Sequence, residues 1–429
     1  MRHSIRPAMQ VLLLLLVVTA GEATASPPPD AGDETVSLTL QQAISKALAN
    51  NPGIEATRVN ADIERARSDV LALGTPYKLE GEIENIAGTG ELSGFDASET
   101  TLRLSKTLET GDKRTHRQNL GDMRTQLALL DITVRESNLA AEVSRHYAKL
   151  LQQQEAIELF AESMAIGRRT LAIVQKRVTV GRASEAEEAS AIVSLERIEL
   201  AGKRLEFEIV ATRVGLASLW GNTQPAFSRA IGDIYSVPPL PPYASLQARL
   251  ADNPQIVRIS TEARIRGAEQ RVALSRQRAD VEVSAGVRHL AASDDVALVA
   301  GFSVPFGTKG RAEPLVRESN SDAARTALVR DVQVLELEAS LRTLYQHLLA
   351  SQSELQTLRE QIIPEAQRAV EFYERGFELG SFNLLELTAA QERLLTIRRD
   401  ALDAATSFHL TLIEIESLLG STSPGGALL

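Results

Sequence analysis

The chain has 429 residues, 44% hydrophobic and 24% charged, which is ample apolar material for a large core and excludes a wholly disordered polymer. Its net charge of −10 argues against nucleic acid as a partner. Cysteine is absent, which excludes disulfides, thiolate metal ligands and a lipid carried on cysteine.

At the start, Arg2 and Arg6 precede the apolar run Val11-Leu-Leu-Leu-Leu-Leu-Val-Val18, and Ala23-Thr-Ala25 supplies an A-x-A cleavage site. Residues 1–25 therefore read as a secretion signal with Ser26 as the mature N-terminus; an uncleaved anchor is the alternative. Residues 26–36 read as a disordered leader, rich in Pro and Asp at Ser26 to Asp33. Past the signal, no apolar run is long enough for a membrane-spanning helix.

The rest of the chain repeats itself. Ala49-Asn-Asn-Pro52 recurs as Ala251-Asp-Asn-Pro254. A short amphipathic helix precedes each motif (Leu40 to Leu48, Leu246 to Leu250), and a charged helical run follows (Gly53 to Leu73, Gln255 to Gln277). A hairpin comes next, at about 77–109 and about 281–305. In the second, Val281, Val283, Ala285 and Val287 share one face while Glu282, Ser284 and Arg288 share the other. In the first, Tyr77, Leu79 and Ile83 oppose Glu80, Glu82 and Glu84, and Leu102, Leu104 and Leu108 follow on the next strand. Leu104-Ser-Lys-Thr-Leu108 corresponds to Phe302-Ser-Val-Pro-Phe306.

A very long helix then leads to a break at Gly181 or Gly380, and another returns to Trp220-Gly221 or Leu419-Gly420. Leu139, Val143, Tyr147, Leu150, Ile157 and Phe160 form one helical seam; Leu355, Leu358, Ile362, Ala366, Ala369, Tyr373 and Phe377 form the other. Gly167 and Pro364 are each expected to weaken or kink their helix, giving an irregular waist. The predicted organisation is thus a first repeat at 37–221, a Pro-rich linker at 222–242 without regular structure, a second repeat at 243–420, and a flexible tail at 421–429.

Strands of about ten residues match a hydrocarbon layer, but four cannot close a barrel and open edges are not tolerated in lipid. Several copies must each donate a stave. About twelve strands, from a trimer, leave room for a pore, with the helices continuing beneath as a tube.

This plan is similar to that of the TolC-type outer-membrane efflux proteins. So are the opening Leu38-Thr-Leu-Gln-Gln-Ala-Ile-Ser-Lys-Ala-Leu-Ala-Asn-Asn-Pro52 and the glycine at each helix-pair tip. Leu104-Ser-Lys-Thr-Leu-Glu-Thr-Gly-Asp-Lys-Arg114 resembles the heavy-metal (cobalt–zinc–cadmium) branch. The resemblance implies a mainly α fold with a β-barrel part: a homotrimer with a 12-stranded barrel in the outer membrane lipid and an α-helical barrel in the periplasm of a Gram-negative bacterium. It implies a periplasmic adaptor and an inner-membrane pump of the resistance-nodulation-division type as partners. The function implied is a passive exit duct, for divalent heavy-metal cations or alternatively for organic drugs or a type I secreted protein. A soluble periplasmic coiled-coil scaffold is the alternative of another class, disfavoured if Val281, Val283, Val287, Leu298 and Phe302 face outward. Many family members carry a lipidated cysteine that this chain lacks, and the aromatic content of 4% is low for a barrel with interfacial girdles.

The tips gather Val180, Gly181, Arg182, Ala183 and Ser184, and Leu379, Gly380, Ser381, Phe382 and Asn383. The glycines can take positive φ, Ser184 and Asn383 are suited to N-capping, and an exposed Phe382 is poorly explained by folding alone. By resemblance these tips form the periplasmic mouth and meet the adaptor. Glu185, Glu187, Glu188 and Glu386, with Glu378, either ring that mouth or form a solvated helix face. Glu80, Glu82, Glu84 and Glu282 fall on the lumen faces of the strands, against Arg103 and Arg288. The histidines, His3, His116, His146, His289, His347 and His409, are scattered without a second ligand at helical spacing, so neither a metal site nor a cofactor is expected. No nucleophile elbow or P-loop is present, which points away from an enzyme.

Overall fold

The computed structural model describes residues 37–251 and 253–421. The signal, the leader and residues 422–429 lie outside the described residues. In chain order the first half holds β1 (Ser37–Leu38), α1 (Leu40–Asn50), α2 (Pro52–Leu71), β2 (Tyr77–Glu84), β3 (Glu99–Leu108), α3 (Lys113–Thr179) and α4 (Glu185–Ser218). After β4 (Arg229–Ala230) the second half holds α5 (Tyr243–Leu250), α6 (Pro254–Ser275), β5 (Val281–Leu290), β6 (Asp295–Ser303), α7 (Thr308–Thr357), α8 (Ile363–Leu379) and α9 (Leu384–Leu418).

The repeated Asn-Pro motif closes each half on itself. Proline suits the first helical turn, where its missing N–H costs nothing, and the preceding asparagine caps that turn. Asn51 Oδ1 accepts the amides of Gly53 at 2.8 Å and Ile54 at 3.1 Å, while its Nδ2 donates to the Leu219 carbonyl at 2.8 Å. Asn253 likewise caps α6 and donates to the Leu418 carbonyl. Each asparagine thereby ties the start of its half to the end of the last helix.

α3 runs unbroken for 67 residues, about 100 Å at 1.5 Å per residue. It packs along α4, α2, α6 and α9, while α7 packs along α6 and α9. Leu139, Val143, Tyr147 and Leu150 are fully buried in the main core, where α1, the linker and the lower part of α9 meet α3. The Tyr147 hydroxyl lies 2.7 Å from the Leu38 carbonyl and 2.6 Å from that of Ile231, and accepts the Ile231 amide at 2.9 Å. Burial pushes this phenol up to about 12.

Three expectations need correction. The linker is not free of regular structure: β4 pairs in parallel with β1, Ser37 opposite Arg229 and Leu38 opposite Ala230, and Phe227, Ala230 and Ile234 are buried. Its prolines flank this pairing rather than enter it. Gly167 does not break α3; Leu195 of α4 packs over it, where a Cβ would sit 3.3 Å from Leu195 Cδ1. Only the second long helix is irregular, with a π-helical turn at Leu358–Ile362 just before Pro364, which lies in the first turn of α8. The wider turn absorbs the missing N–H and slips the seam by a residue, so Ile362 is exposed and Val370 is buried instead.

The two hairpins join into one antiparallel sheet of order β2-β3-β5-β6. Leu102 stands opposite Val287, Leu104 opposite Ala285 and Leu108 opposite Val281 across the central seam. A Cβ at Gly286 would lie 2.4 Å from the Leu102 carbonyl oxygen, so only glycine lets β5 approach this closely. β2 and β6 form the two edges of the sheet.

Candidate functional site

Strand alternation and the observed registers sort the sheet residues into two faces. One carries Tyr77, Leu79 and Ile83 of β2, Leu102, Leu104 and Leu108 of β3, Val283 and Val287 of β5, and Val296, Leu298 and Phe302 of β6. All of these are exposed, Leu298 to 89% and Phe302 to 82%. Lys106 and His289 also lie on this face, towards its two ends, but an apolar surface of this size has no place against water. The opposite face carries Glu80, Glu82, Glu84, Glu99, Glu282 and Asp295 against Lys78, Arg103 and Arg288. Its arginines are engaged: Arg288 pairs with Glu84 at 3.2 Å and Glu99 at 2.7 Å, and donates to Thr101 Oγ1 at 3.0 Å. Arg103 lies 4.0 Å from Glu82. Six carboxylates face three cations, so the face keeps a negative balance.

Where the sheet meets the helices, the Leu104–Arg114 motif stitches the halves together. Asp280, just before β5, accepts the Thr110 amide at 3.0 Å and Lys113 Nζ at 2.7 Å, while the Thr110 hydroxyl donates to the Ala279 carbonyl at 2.6 Å.

At the far end of the helices, both tips are built alike. Gly181 and Gly380 hold φ of +69° and +82°, ending one helix in the left-handed region. Arg182 N–H then bonds back to the Arg177 carbonyl, and Ser381 N–H to that of Gly376, each at 2.8 Å. Three residues after each glycine a capping box opens the returning helix: Ser184 with Glu187 in one, Asn383 with Glu386 in the other. The tips also hold each other. Arg177 Nη1 donates to the Phe377 carbonyl at 2.7 Å, and its guanidinium carbon sits 4.4 Å from the centre of that ring. Beneath lies a shared core of Val174, Ala191, Phe377, Leu384 and Leu387.

The family model described as outer membrane efflux protein matches residues 246–421. The cobalt-zinc-cadmium resistance protein CzcC of Cupriavidus metallidurans is 26% identical over 384 residues, covering 89% of this chain and 90% of that protein. The second half of the chain thus matches that family, and most of the chain is similar to CzcC. Solved channels share its fold. CusC superposes with a TM-score of 0.75 at 14% identity, covering 89% of this chain and 92% of that one. VceC of Vibrio cholerae gives 0.74 at 16% identity, covering 89% and 96%. The chain therefore has the mainly helical fold of these outer-membrane channels.

The tip residues expected from sequence gather at one end of the molecule, and the strand carboxylates gather on one face of the sheet at the other. Phe382 is exposed on one side and packed on the other. It is 38% exposed, its ring lies 4.8 Å from that of Tyr373, and it packs so closely on Gly376 that a Cβ there would overlap it. Folding therefore holds one side of Phe382, whereas Leu379 and Leu385 stand 83% and 77% exposed. Glu187 and Glu386 are held as capping acceptors, by the Ser184 amide at 2.7 Å and the Asn383 amide at 2.9 Å, and Glu188 accepts from Gln175 at 3.1 Å. Sequence reasoning missed Arg177, Leu385 and Glu99. Glu99 was legible in principle, since it falls in phase with Arg103 along β3. Among the described residues no group of three His, Asp or Glu is placed to hold a metal ion, and no helix is long and apolar enough to cross a membrane.

Proposed function

We propose that three copies of this chain close a twelve-stranded barrel in the outer membrane, and that the duct so formed passes divalent heavy-metal cations out of the periplasm. The observation that carries this reading is the single sheet with one apolar face, one acid-rich face and two open edges. Lipid demands that the edges be paired, and four strands reach closure only with those of other copies. Cargo follows from two supports. CzcC is a cobalt-zinc-cadmium resistance protein. The polar face attracts cations through its negative balance while its carboxylates stay spread out, which suits passage better than capture. At the other end, the paired tips dock a periplasmic adaptor, through which an inner-membrane pump of the resistance-nodulation-division type supplies cargo and energy. Val180, Gly181, Arg182, Ala183 and Ser184, with Leu379, Gly380, Ser381, Phe382 and Asn383, form that docking mouth, and Glu185, Glu187, Glu188 and Glu386 line it.

The test is a deletion strain of the source bacterium, grown on graded cobalt, zinc and cadmium and on a panel of organic antimicrobials. Loss of metal tolerance, restored by the wild-type gene, is the expected result. Unchanged metal tolerance with new sensitivity to organic compounds would overturn the cargo and leave the duct.

A further inference from the structure

The internal duplication specifies how one copy pairs with the next. β2 and β3 are paired Leu79 to Leu104 and Tyr77 to Lys106, and β5 and β6 are paired Val283 to Phe302. The hairpins therefore superpose with Tyr77 on Val281, Leu79 on Val283, Gly81 on Ala285 and Ile83 on Val287, and with Leu104 on Phe302. This is the same correspondence that Leu104-Ser-Lys-Thr-Leu108 and Phe302-Ser-Val-Pro-Phe306 give independently. Within the chain the two hairpins meet through the seam of β3 and β5, with Leu104 opposite Ala285, Leu108 opposite Val281 and Ser105 opposite Ser284.

We infer that the free edge of β6 pairs with the free edge of β2 in a second copy of this chain, in the register that repeats this internal seam. Phe302 then stands opposite Gly81 of the second copy, Ala300 opposite Ile83, Phe306 opposite Tyr77 and Ser303 opposite Glu80. The inference rests on the trimeric reading above and adds its register.

Four observations support it. The register keeps Leu298 and Phe302 on the same face as Tyr77, Leu79 and Ile83 of the second copy, which a slip of one residue reverses. It sets a large side chain against a small one where the internal seam does the same: Leu104 covers Ala285, and Phe302 covers Gly81, whose missing Cβ faces nothing within 4 Å in a single copy. An aromatic ring over a strand glycine is a recognised way to fix register. It also accounts for Phe306 and Tyr77, both heavily exposed in one copy, as a cross-strand aromatic pair. Lastly, it tolerates Pro305. That residue matches Thr107, whose carbonyl accepts from Thr75 on the β2 side, so the missing N–H of Pro305 points toward β5 and not toward the free edge.

The absence of cysteine makes the test direct. In the full-length exported protein, Glu80→Cys is combined with Ser303→Cys, and the outer-membrane fraction is run on non-reducing gels. Within one chain these positions sit three strand spacings apart and four residues offset along the strands, about 20 Å, so any disulfide joins two copies. Directly opposed residues have Cα atoms about 4.5–5.5 Å apart, inside the disulfide range of about 4.4–6.8 Å, whereas a two-residue slip moves them to about 7–8 Å. The expected result is a reducible, covalently linked trimer as the main species. Ser303→Cys with Glu82→Cys, or with Lys78→Cys, should give little of it. Preferential cross-linking of either slipped pair overturns the register, as does a particle of three copies in which none of the pairs cross-links; the barrel reading survives both. A detergent-extracted particle of a single copy, for wild type and variants alike, removes the trimeric reading and the register together.

Discussion

Arg177 of α3 and Phe377 of α8 are 200 positions apart in sequence, yet the arginine donates to the phenylalanine carbonyl at 2.7 Å and lies over its ring at 4.4 Å. One side chain thus fastens the first helical hairpin to the second at the end farthest from the sheet. The contact joins a charge-assisted hydrogen bond to a cation–π contact, together on the order of 2 kcal/mol. Arg177→Ala should speed amide exchange at the C-terminal end of α8 roughly thirtyfold, with the sheet unaffected. Arg177→Lys should recover only part of the protection, since an ammonium cannot span carbonyl and ring as the planar guanidinium does. Hydrogen exchange read by mass spectrometry checks both; equal protection in all three proteins would mean that the core beneath holds the tips unaided.

The paired asparagines make a second prediction. Asn51 and Asn253 each cap a helix and brace the last turn of another. Replacing either with alanine removes a cap and leaves a carbonyl short of a donor, a loss of about 2 kcal/mol. Because they serve different halves with no shared partner, the losses should add in the double variant to within about half a kcal/mol. Thermal unfolding in detergent measures this.

These two sites mark what was legible beforehand. Asn51 and Asn253 sit in a repeated four-residue motif, and a repeat declares itself without any knowledge of contacts. Helix tips, strands and face assignments were likewise readable, since glycine breaks and period-two alternation are local signals. Arg177 was not, because an arginine near a helix end serves solvent or a distant carbonyl equally well until tertiary packing decides. The π-helical turn was half legible: Pro364 announced a disturbance, but the seam slip that exposes Ile362 depends on how the chain resolves it. Gly167 misled because a helix packed on both sides tolerates a glycine that an isolated helix would not.

A third prediction concerns acid. His409 is buried in α9, its Nε2 2.9 Å from the Ile234 carbonyl, and desolvation holds its pKa below the ordinary value of 6.5 despite the nearby Asp233 carboxylate. The unfolded chain therefore binds a proton that the folded one resists. Stability is full above about pH 6.5 and falls as the pH drops toward the folded pKa. Glu155 is raised by burial and acts in the opposite sense, but only near the carboxylate range, so the first step below neutrality reports the histidine. His409→Gln keeps a donor for Ile234 and should flatten that step. Denaturation midpoints from pH 7.5 downward decide it.

The two faces of the sheet should respond oppositely to charge. Leu298→Arg places a guanidinium on the apolar face, at a cost of about 2–4 kcal/mol in mid-membrane and less near its edge. Its neighbour Ala297 lies on the polar face in the row of Glu82 and Arg288. Ala297→Arg should assemble at near wild-type levels, while Leu298→Arg should accumulate unassembled. Quantifying the detergent-resistant oligomer in outer-membrane fractions checks the pair. Equal assembly would mean that the apolar face does not meet lipid.

At the tips, exposure separates residues that hold the fold from those free to meet a partner. Phe382 is seated between Tyr373 and Gly376, so Phe382→Ala should lower thermal stability by about 2–3 kcal/mol and impair efflux with it. Leu379 and Leu385 make no comparable contact, and each is more than three-quarters exposed. Leu379→Asp and Leu385→Asp should therefore leave unfolding unchanged, within about half a kcal/mol, yet abolish metal tolerance in the complemented deletion strain. An acid on an apolar docking surface leaves a charge buried without a partner, which is enough to break an interface that a neutral truncation would only weaken. Gly380→Asp adds a different insult, forcing a branched carboxylate into φ of +82°, and should impair both stability and efflux. Full tolerance in both leucine variants would show that these exposed side chains take no part in docking and would move the adaptor's contact elsewhere along the helices.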